Sequence, residues 1–204
     1  LSGRVAVIDY GMGNLLSVMN ALNRVGVQAE LVNDPDRVAE FDRVILPGVG
    51  AFAEAIAHLR HSGMDAALSD FVGGGRPLLG VCLGMQLICS RSEEGGEHQG
   101  LGWIKADVRR FDGGAGLKVP HMGWNSIDIV QPHPVLAGLE AGADAYFVHS
   151  YRVIPNDPSD VLATTDYGGP FASIIGRGHV IGMQFHPEKS QDVGLRLLDN
   201  FSRL

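Results

Sequence analysis

The chain has 204 residues with 45% hydrophobic and 19% charged content, which suits one folded domain over residues 1–204 with a sizeable core. A net charge of −7 with no lysine or arginine run argues against nucleic acid, and no apolar stretch reaches the roughly 18 to 20 residues of a membrane span. Two cysteines, Cys82 and Cys89, make no disulfide framework; with a start at Leu1 that lacks methionine or a secretory leader, they suggest a processed end and a reducing cytoplasm.

Arg4 to Tyr10 reads as a buried strand, followed by the turn Gly11-Met12-Gly13-Asn14. Leu15, Val18, Met19, Leu22 and Val25 recur at helical spacing after it. Val27 to Val32 and Arg43 to Leu46 are the next strands, the latter stopped by Pro47-Gly48-Val49-Gly50. Helices are expected from about Ala51 to Arg60 and Met64 to Val72, a strand at Leu78 to Val81, and a helix opening with Met85 to Ser90. This alternation implies right-handed βαβ units and a mainly parallel sheet. Beyond it, short strand-like runs appear at Ile104–Phe111, Ser126–Val130, Ala145–Val148, Val161–Thr165, Ala172–Ile175 and Val180–Phe185. The last of these suggest an antiparallel meander added to the parallel sheet. A closing helix carries Val193, Leu197, Leu198 and Phe201.

Chemistry concentrates at two places. In Gly80-Val81-Cys82-Leu83-Gly84 a cysteine stands between glycines on a strand-to-helix turn, the thiol counterpart of the G-x-S-x-G elbow. A lone cysteine in an apolar segment is ordinarily a core residue. Here the glycines permit a tight turn that lifts the side chain to a helix N-terminus, where a thiolate is favoured. Cys89 has no such setting and reads as structural. Far along the chain, His186-Pro187-Glu188 offers a base and a carboxylate; an extended backbone there would put both side chains on one face. Nucleophile, base and base-orienter are the parts of a thiol acyl-transfer enzyme. The Leu83 N–H, with that of Val49 or Gly50, would supply an oxyanion hole at the ends of two strands.

Other readings are weaker. Gly11-Met12-Gly13 lacks the third glycine of a dinucleotide turn, since Leu16 stands there, and no Walker motif occurs. The histidines are scattered and the cysteines too few for a zinc cluster, so neither a metal nor another cofactor is expected.

Gly80-Val81-Cys82-Leu83-Gly84-Met85-Gln86 and the His-Pro-Glu segment resemble the class I, triad-type glutamine amidotransferases, whose fold is flavodoxin-like α/β. Asp9 to Asn14, Leu46 to Phe52, Val119 to Asn125, Tyr146 to Tyr151 and Gly182 to Ser190 narrow the resemblance to the glutaminase subunits of imidazole glycerol phosphate synthase. It spans essentially the whole chain. It implies that Cys82 attacks glutamine, that His186 moves the proton and that Glu188 orients the imidazole. By the same resemblance, Gln86, Glu94 and the His149-Ser150-Tyr151 backbone hold the α-amino and α-carboxylate groups of glutamine. The implied partner is a (β/α)8-barrel cyclase, docked as a heterodimer on a face that includes Asn14, Trp124, Tyr146 and Lys189. Without the resemblance, Glu94 reads as part of a solvated loop, Asn14 as a turn residue, Tyr146 as core and Lys189 as a solvated lysine.

Rival readings are the amidotransferase subunit of another synthase, such as anthranilate synthase; a cysteine peptidase or deglycase-like protein; and an inactive docking module. The Asp9–Asn14 and Val119–Asn125 segments speak against the first. Gln86 and the His-Pro-Glu order are unexplained by the second, and an intact Cys82, His186 and Glu188 argue against the third.

Overall fold

Apolar residues in unbroken runs make strands buried on both faces, and four such runs build the centre of the molecule. They are β1 (Val5–Ile8), β3 (Arg43–Leu46), β4 (Leu78–Val81) and β13 (Val180–Met183). The computed structural model describes residues 3–204, so the processed start read at Leu1 and Ser2 lies outside the described residues. With β2 (Ala29–Val32), the central strands run parallel in the order β2-β1-β3-β4-β13.

Alternation along β1 sorts its side chains between two layers. Ala6 and Ile8 pack with Phe52, Leu59, Met64, Leu68 and Phe71 from α2 (Phe52–His61) and α3 (Met64–Gly73). Val5 and Val7 pack with Val18, Leu22, Leu197, Leu198 and Phe201 from α1 (Leu15–Arg24) and α5 (Gln191–Phe201) on the other face. The helical spacing read from the sequence therefore locates the buried stripes of α1 and α5, although Leu15, Met19, Val25 and Val193 are only partly buried.

β13 continues antiparallel into β12 (Pro170–Arg177), which pairs with β11 (Val161–Asp166) and β10 (Tyr151–Pro155). The meander is thus present, with its last strand inserted between β4 and β12 in the central sheet. Beyond β10 come β7 (Ile104–Arg110), β5 (Cys89–Ser92) and β6 (His98–Gln99). A hairpin of β8 (His121–Ile129) and β9 (Ala143–His149) attaches through β11.

Two local expectations fail. The helix after the elbow, α4 (Leu83–Leu87), ends before Cys89, which begins β5 and pairs with Ile104 instead of continuing the helix. There Arg91 grips Asp107 of β7 through two hydrogen bonds of 2.8 and 2.9 Å, so tertiary pairing overrides the local helical pattern. β10 is absent from the sequence reading because Val153 alone is buried in it, which leaves no alternation to detect.

Candidate active site

The loop at residues 47–50, the elbow and the His-Pro-Glu segment follow β3, β4 and β13, three adjacent parallel strands. All three therefore meet at the carboxyl edge of the sheet, where open α/β folds collect ligands.

Cys82 sits in a left-handed conformation, φ 55° and ψ −110°; Gln191 is the other non-glycine residue with positive φ among the described residues. The turn is held by the Cys82 N–H, which donates to the Met183 carbonyl at 2.8 Å. Its tightness depends on the flanking glycines. A Cβ on Gly80 would stand 2.6 Å from the Gly84 carbonyl oxygen, and one on Gly84 would run into the carbonyl of Leu46. Strain of this kind at a cleft is characteristic of a nucleophile elbow.

His186 is buried, and its Nδ1 lies 2.7 Å from Glu188 Oε1, whose side chain is 2% exposed. The backbone is extended at His186, but Pro187–Lys189 is a 3-10 turn, and this turn swings Glu188 back under the ring. The two side chains thus share a side through a turn and not through strand alternation, a correction to the sequence reading. Burial opposes charge on His186, yet hydrogen bonds to Cys82 and Glu188 outweigh it and raise the imidazole to about 10.

A cleft of about 440 Å³ is lined by Val49, Gly50, Cys82, Leu83, Gln86, Glu94, His149, Ser150, Tyr151 and His186. Each oxyanion and glutamine-binding residue named from the sequence therefore reaches one place. Their states differ from the simplest expectation. The Leu83 N–H is spent on the Gly48 carbonyl at 3.3 Å, so the Gly48–Val49 peptide presents oxygen where the sequence leads one to expect an oxyanion donor. Glu94 Oε2 accepts the Phe52 N–H at 2.9 Å, capping α2, which has no cap of its own. Gln86 Nε2 donates to Gln184 Oε1 at 3.1 Å.

Gln184, Tyr10 and Arg110 were not singled out from the sequence. Gln184 lies two residues before His186, and period-two spacing was the signal that would have found it. Tyr10 donates its hydroxyl to the Pro47 carbonyl at 2.9 Å, tying down the 47–50 loop. Burial, and to a lesser degree Cys82, push its phenol far above the usual range, so it remains a neutral donor. Arg110 lines the cleft from the end of β7, which only the β7–β10 pairing reveals.

Of the four residues assigned to a partner face, Asn14 and Lys189 are exposed and Trp124 is 50% exposed. Half-buried Tyr146 meets Trp124 edge-on at 5.8 Å, and its carbonyl accepts the His186 N–H at 3.0 Å. Among the described residues no group of three or more His, Cys, Asp or Glu is placed to hold a metal ion. Nor, among the described residues, is any helix long and apolar enough to cross a membrane.

Residues 6–203 match the family described as glutamine amidotransferase class-I. The chain belongs to that family. Among similar class I amidotransferases is imidazole glycerol phosphate synthase subunit HisH of Syntrophotalea carbinolica, 51% identical over 97% of this chain and 98% of that protein. The subunit of the same name from Moorella thermoacetica is 50% identical over 98% and 94%. Two solved structures share the amidotransferase fold. A structure titled as a glutamine amidotransferase gives a TM-score of 0.77 at 22% identity, covering 98% of this chain and 99% of that one. PurLQS from Thermotoga maritima gives 0.78 at 18%, covering 98% of both chains.

The buried histidines make stability depend on pH in opposite senses. Burial lowers His121 to about 4 and His149 to about 3. Below about pH 6.5 the unfolded chain takes up protons that these folded rings refuse, so their contribution is full above that pH and is lost as pH falls towards 4 and 3. For His186, raised to about 10, the contribution is full below about 6.5 and is lost as pH rises to 10. Each acid-side histidine contributes a slope of up to about 1.4 kcal/mol per pH unit, and each kcal/mol shifts Tm by about 2 to 4 °C. Thermal unfolding from pH 7 to 5 should therefore show a shallower decline for His121→Phe than for the wild type; equal slopes would contradict the assignment.

Proposed function

We propose that this chain is the glutaminase subunit of an imidazole glycerol phosphate synthase. In this role it hydrolyses glutamine to glutamate and ammonia and passes the ammonia to a (β/α)8-barrel cyclase. The cyclase uses the ammonia to make imidazole glycerol phosphate and aminoimidazole carboxamide ribotide in histidine biosynthesis. The observation that carries the chemistry is the 2.7 Å pairing of buried His186 with Glu188 beside the strained Cys82. The choice of synthase rests on about half-identity to HisH subunits over nearly the whole length of both chains. A heterodimer with the cyclase is part of the same proposal, and so is a reducing cytoplasm, which the two free cysteines fit.

In the proposed reaction His186 takes the thiol proton of Cys82 as Sγ attacks the glutamine amide carbon, and the carbonyl π electrons move to oxygen. The proton held by His186 passes to the departing nitrogen as the C–N bond breaks, leaving a γ-glutamyl thioester and ammonia. His186 then removes a proton from water attacking the thioester, and the C–S bond breaks to give glutamate. Glu188 keeps the Nδ1 proton of His186 in place, so the Nε2 side faces the reacting atoms.

These roles are not equivalent. His186→Ala should cost nearly as much as loss of the nucleophile, whereas Glu188→Gln should keep measurable activity, since an orienting carboxylate is the least costly member to remove. Single-turnover glutamine hydrolysis is the measurement. A Glu188→Gln protein less active than His186→Ala would reverse the assigned roles.

A further inference from the structure

Behind the cleft lies a buried polar chain that the proposed reaction does not use. Asn125 Nδ2 is 3.2 Å from His121 Nε2, His121 Nδ1 is 2.9 Å from His149 Nε2, and His149 Nδ1 is 2.7 Å from the Tyr151 carbonyl. Both histidines are buried, packed among Phe111, Phe147 and Phe171.

The direction of every bond in this chain is determined from its ends. At one end, the Asn125 amide cannot be turned over. Its Oδ1 accepts the Ser126 N–H at 2.9 Å, and its Nδ2 donates to the Asp166 carbonyl at 2.9 Å. An NH2 group therefore faces His121, whose Nε2 must be the bare acceptor, which puts the proton on Nδ1. That proton points at His149 Nε2, which must be bare in turn, and so His149 carries its proton on Nδ1. At the far end the Tyr151 carbonyl can only accept, and it demands the same Nδ1 proton independently. Both rings are thus held in one tautomer by backbone groups whose roles are fixed.

We propose that Asn125, His121 and His149 are positioning residues that hold the His149–Tyr151 backbone in shape to receive glutamine. Two polar rings in an aromatic cluster would otherwise be a poor choice, because a phenylalanine fills such space without needing partners. The chain starts in β8 between exposed Met122 and Trp124 on one side and Ser126 on the other, and ends in the wall of the cleft. It therefore also joins the face assigned to the cyclase to the segment assigned to the substrate. This role rests on the glutaminase reading above; the direction of the chain does not.

Two measurements test it. Histidine ring nitrogens in the full chain, labelled with nitrogen-15 at neutral pH, should show a protonated Nδ1 and a bare Nε2 for both His121 and His149, assigned by the signal lost in His121→Phe. A proton on Nε2 of either ring would overturn the chain. Glutaminase kinetics of the ligand-bound cyclase complex should then show KM for glutamine raised roughly tenfold in His121→Phe, the effect of one lost buried hydrogen bond, with kcat within about threefold of wild type. Asn125→Asp puts an acceptor in place of the donor with no change of size. It should move the His121 proton to Nε2 and raise KM similarly. A fall in kcat at constant KM in both variants would overturn the positioning role. Wild-type protein without glutaminase activity even in complex with a ligand-bound cyclase would overturn the glutaminase reading and the role that rests on it, while the ring tautomers would still report on the chain itself.

Discussion

Cys82→Ala is expected to abolish glutamine-dependent synthesis by the assembled synthase, by roughly 10⁴-fold or more, because no other group in the cleft can form the thioester. Synthesis from added ammonium salts should be nearly unchanged. The expectation follows from dividing the reaction between two subunits, with only ammonia release placed here. The substitution is also structurally mild. Alanine at φ 55° has the same backbone strain as cysteine, and the N–H bond to Met183 and the glycine contacts of the elbow do not involve the thiol. Assembly with the cyclase should therefore survive and can be verified by gel filtration. Loss of ammonia-driven synthesis in a properly assembled mutant would defeat the division of labour.

The free chain, by contrast, should hydrolyse glutamine poorly and be accelerated at least 100- to 1,000-fold by a ligand-bound cyclase. The reason is the Gly48–Val49 peptide. Its carbonyl occupies the Leu83 N–H, and its own N–H, being on the opposite side of the same plane, faces away. Turning this one peptide over would release Leu83 and bring in Val49, and each oxyanion donor is worth about 2.7 to 4 kcal/mol. The rotation falls on ψ of Gly48, where no side chain hinders it, and on φ of Val49. Tyr10, anchored on the Pro47 carbonyl, limits the motion to the residues after it. Lys189 and Asn14 are exposed close to the triad turn and the loop after β1, where a docked partner could bias the peptide. Glutaminase kcat for the free chain, the binary complex and the ligand-bound complex measures the activation; Lys189→Ala and Asn14→Ala measure its route. Full activity in the free chain would remove the need for a switch. Unchanged activation in both variants would place the coupling elsewhere.

What the sequence revealed tracks how local the physics is. Cys82 was legible because Gly80 and Gly84 are steric requirements of a turn only five residues long, and those contacts are present. The central parallel strands β1, β3, β4 and β13 were legible because burial on both faces makes their runs almost wholly apolar. His186 and Glu188 were found for a reason that is half right: extended backbone at one, a 3-10 turn at the other. Cys89 was placed in a helix because nothing nearby announces its pairing with Ile104, fifteen residues on. The His121–His149 chain was invisible for a similar reason. His121 and Asn125 sat in a quoted motif, but only the β8–β9 register brings His121 opposite His149. Nor can any pattern of residues state which way a peptide faces, and the Gly48 carbonyl is such a case.

The place of β13 has a consequence for when the protein becomes chemically competent. β1 to β4 emerge from the ribosome first, carrying the thiol with them, yet β4 has an open edge until residues 180–183 arrive to fill it. The same strand delivers the carbonyl that fixes the Cys82 turn and, three residues later, the histidine. Closing the sheet and assembling the reacting groups are therefore a single event late in synthesis. Until then the Cys82 thiol has neither its base nor its fixed turn, so the proposed hydrolysis has to wait for the closed sheet.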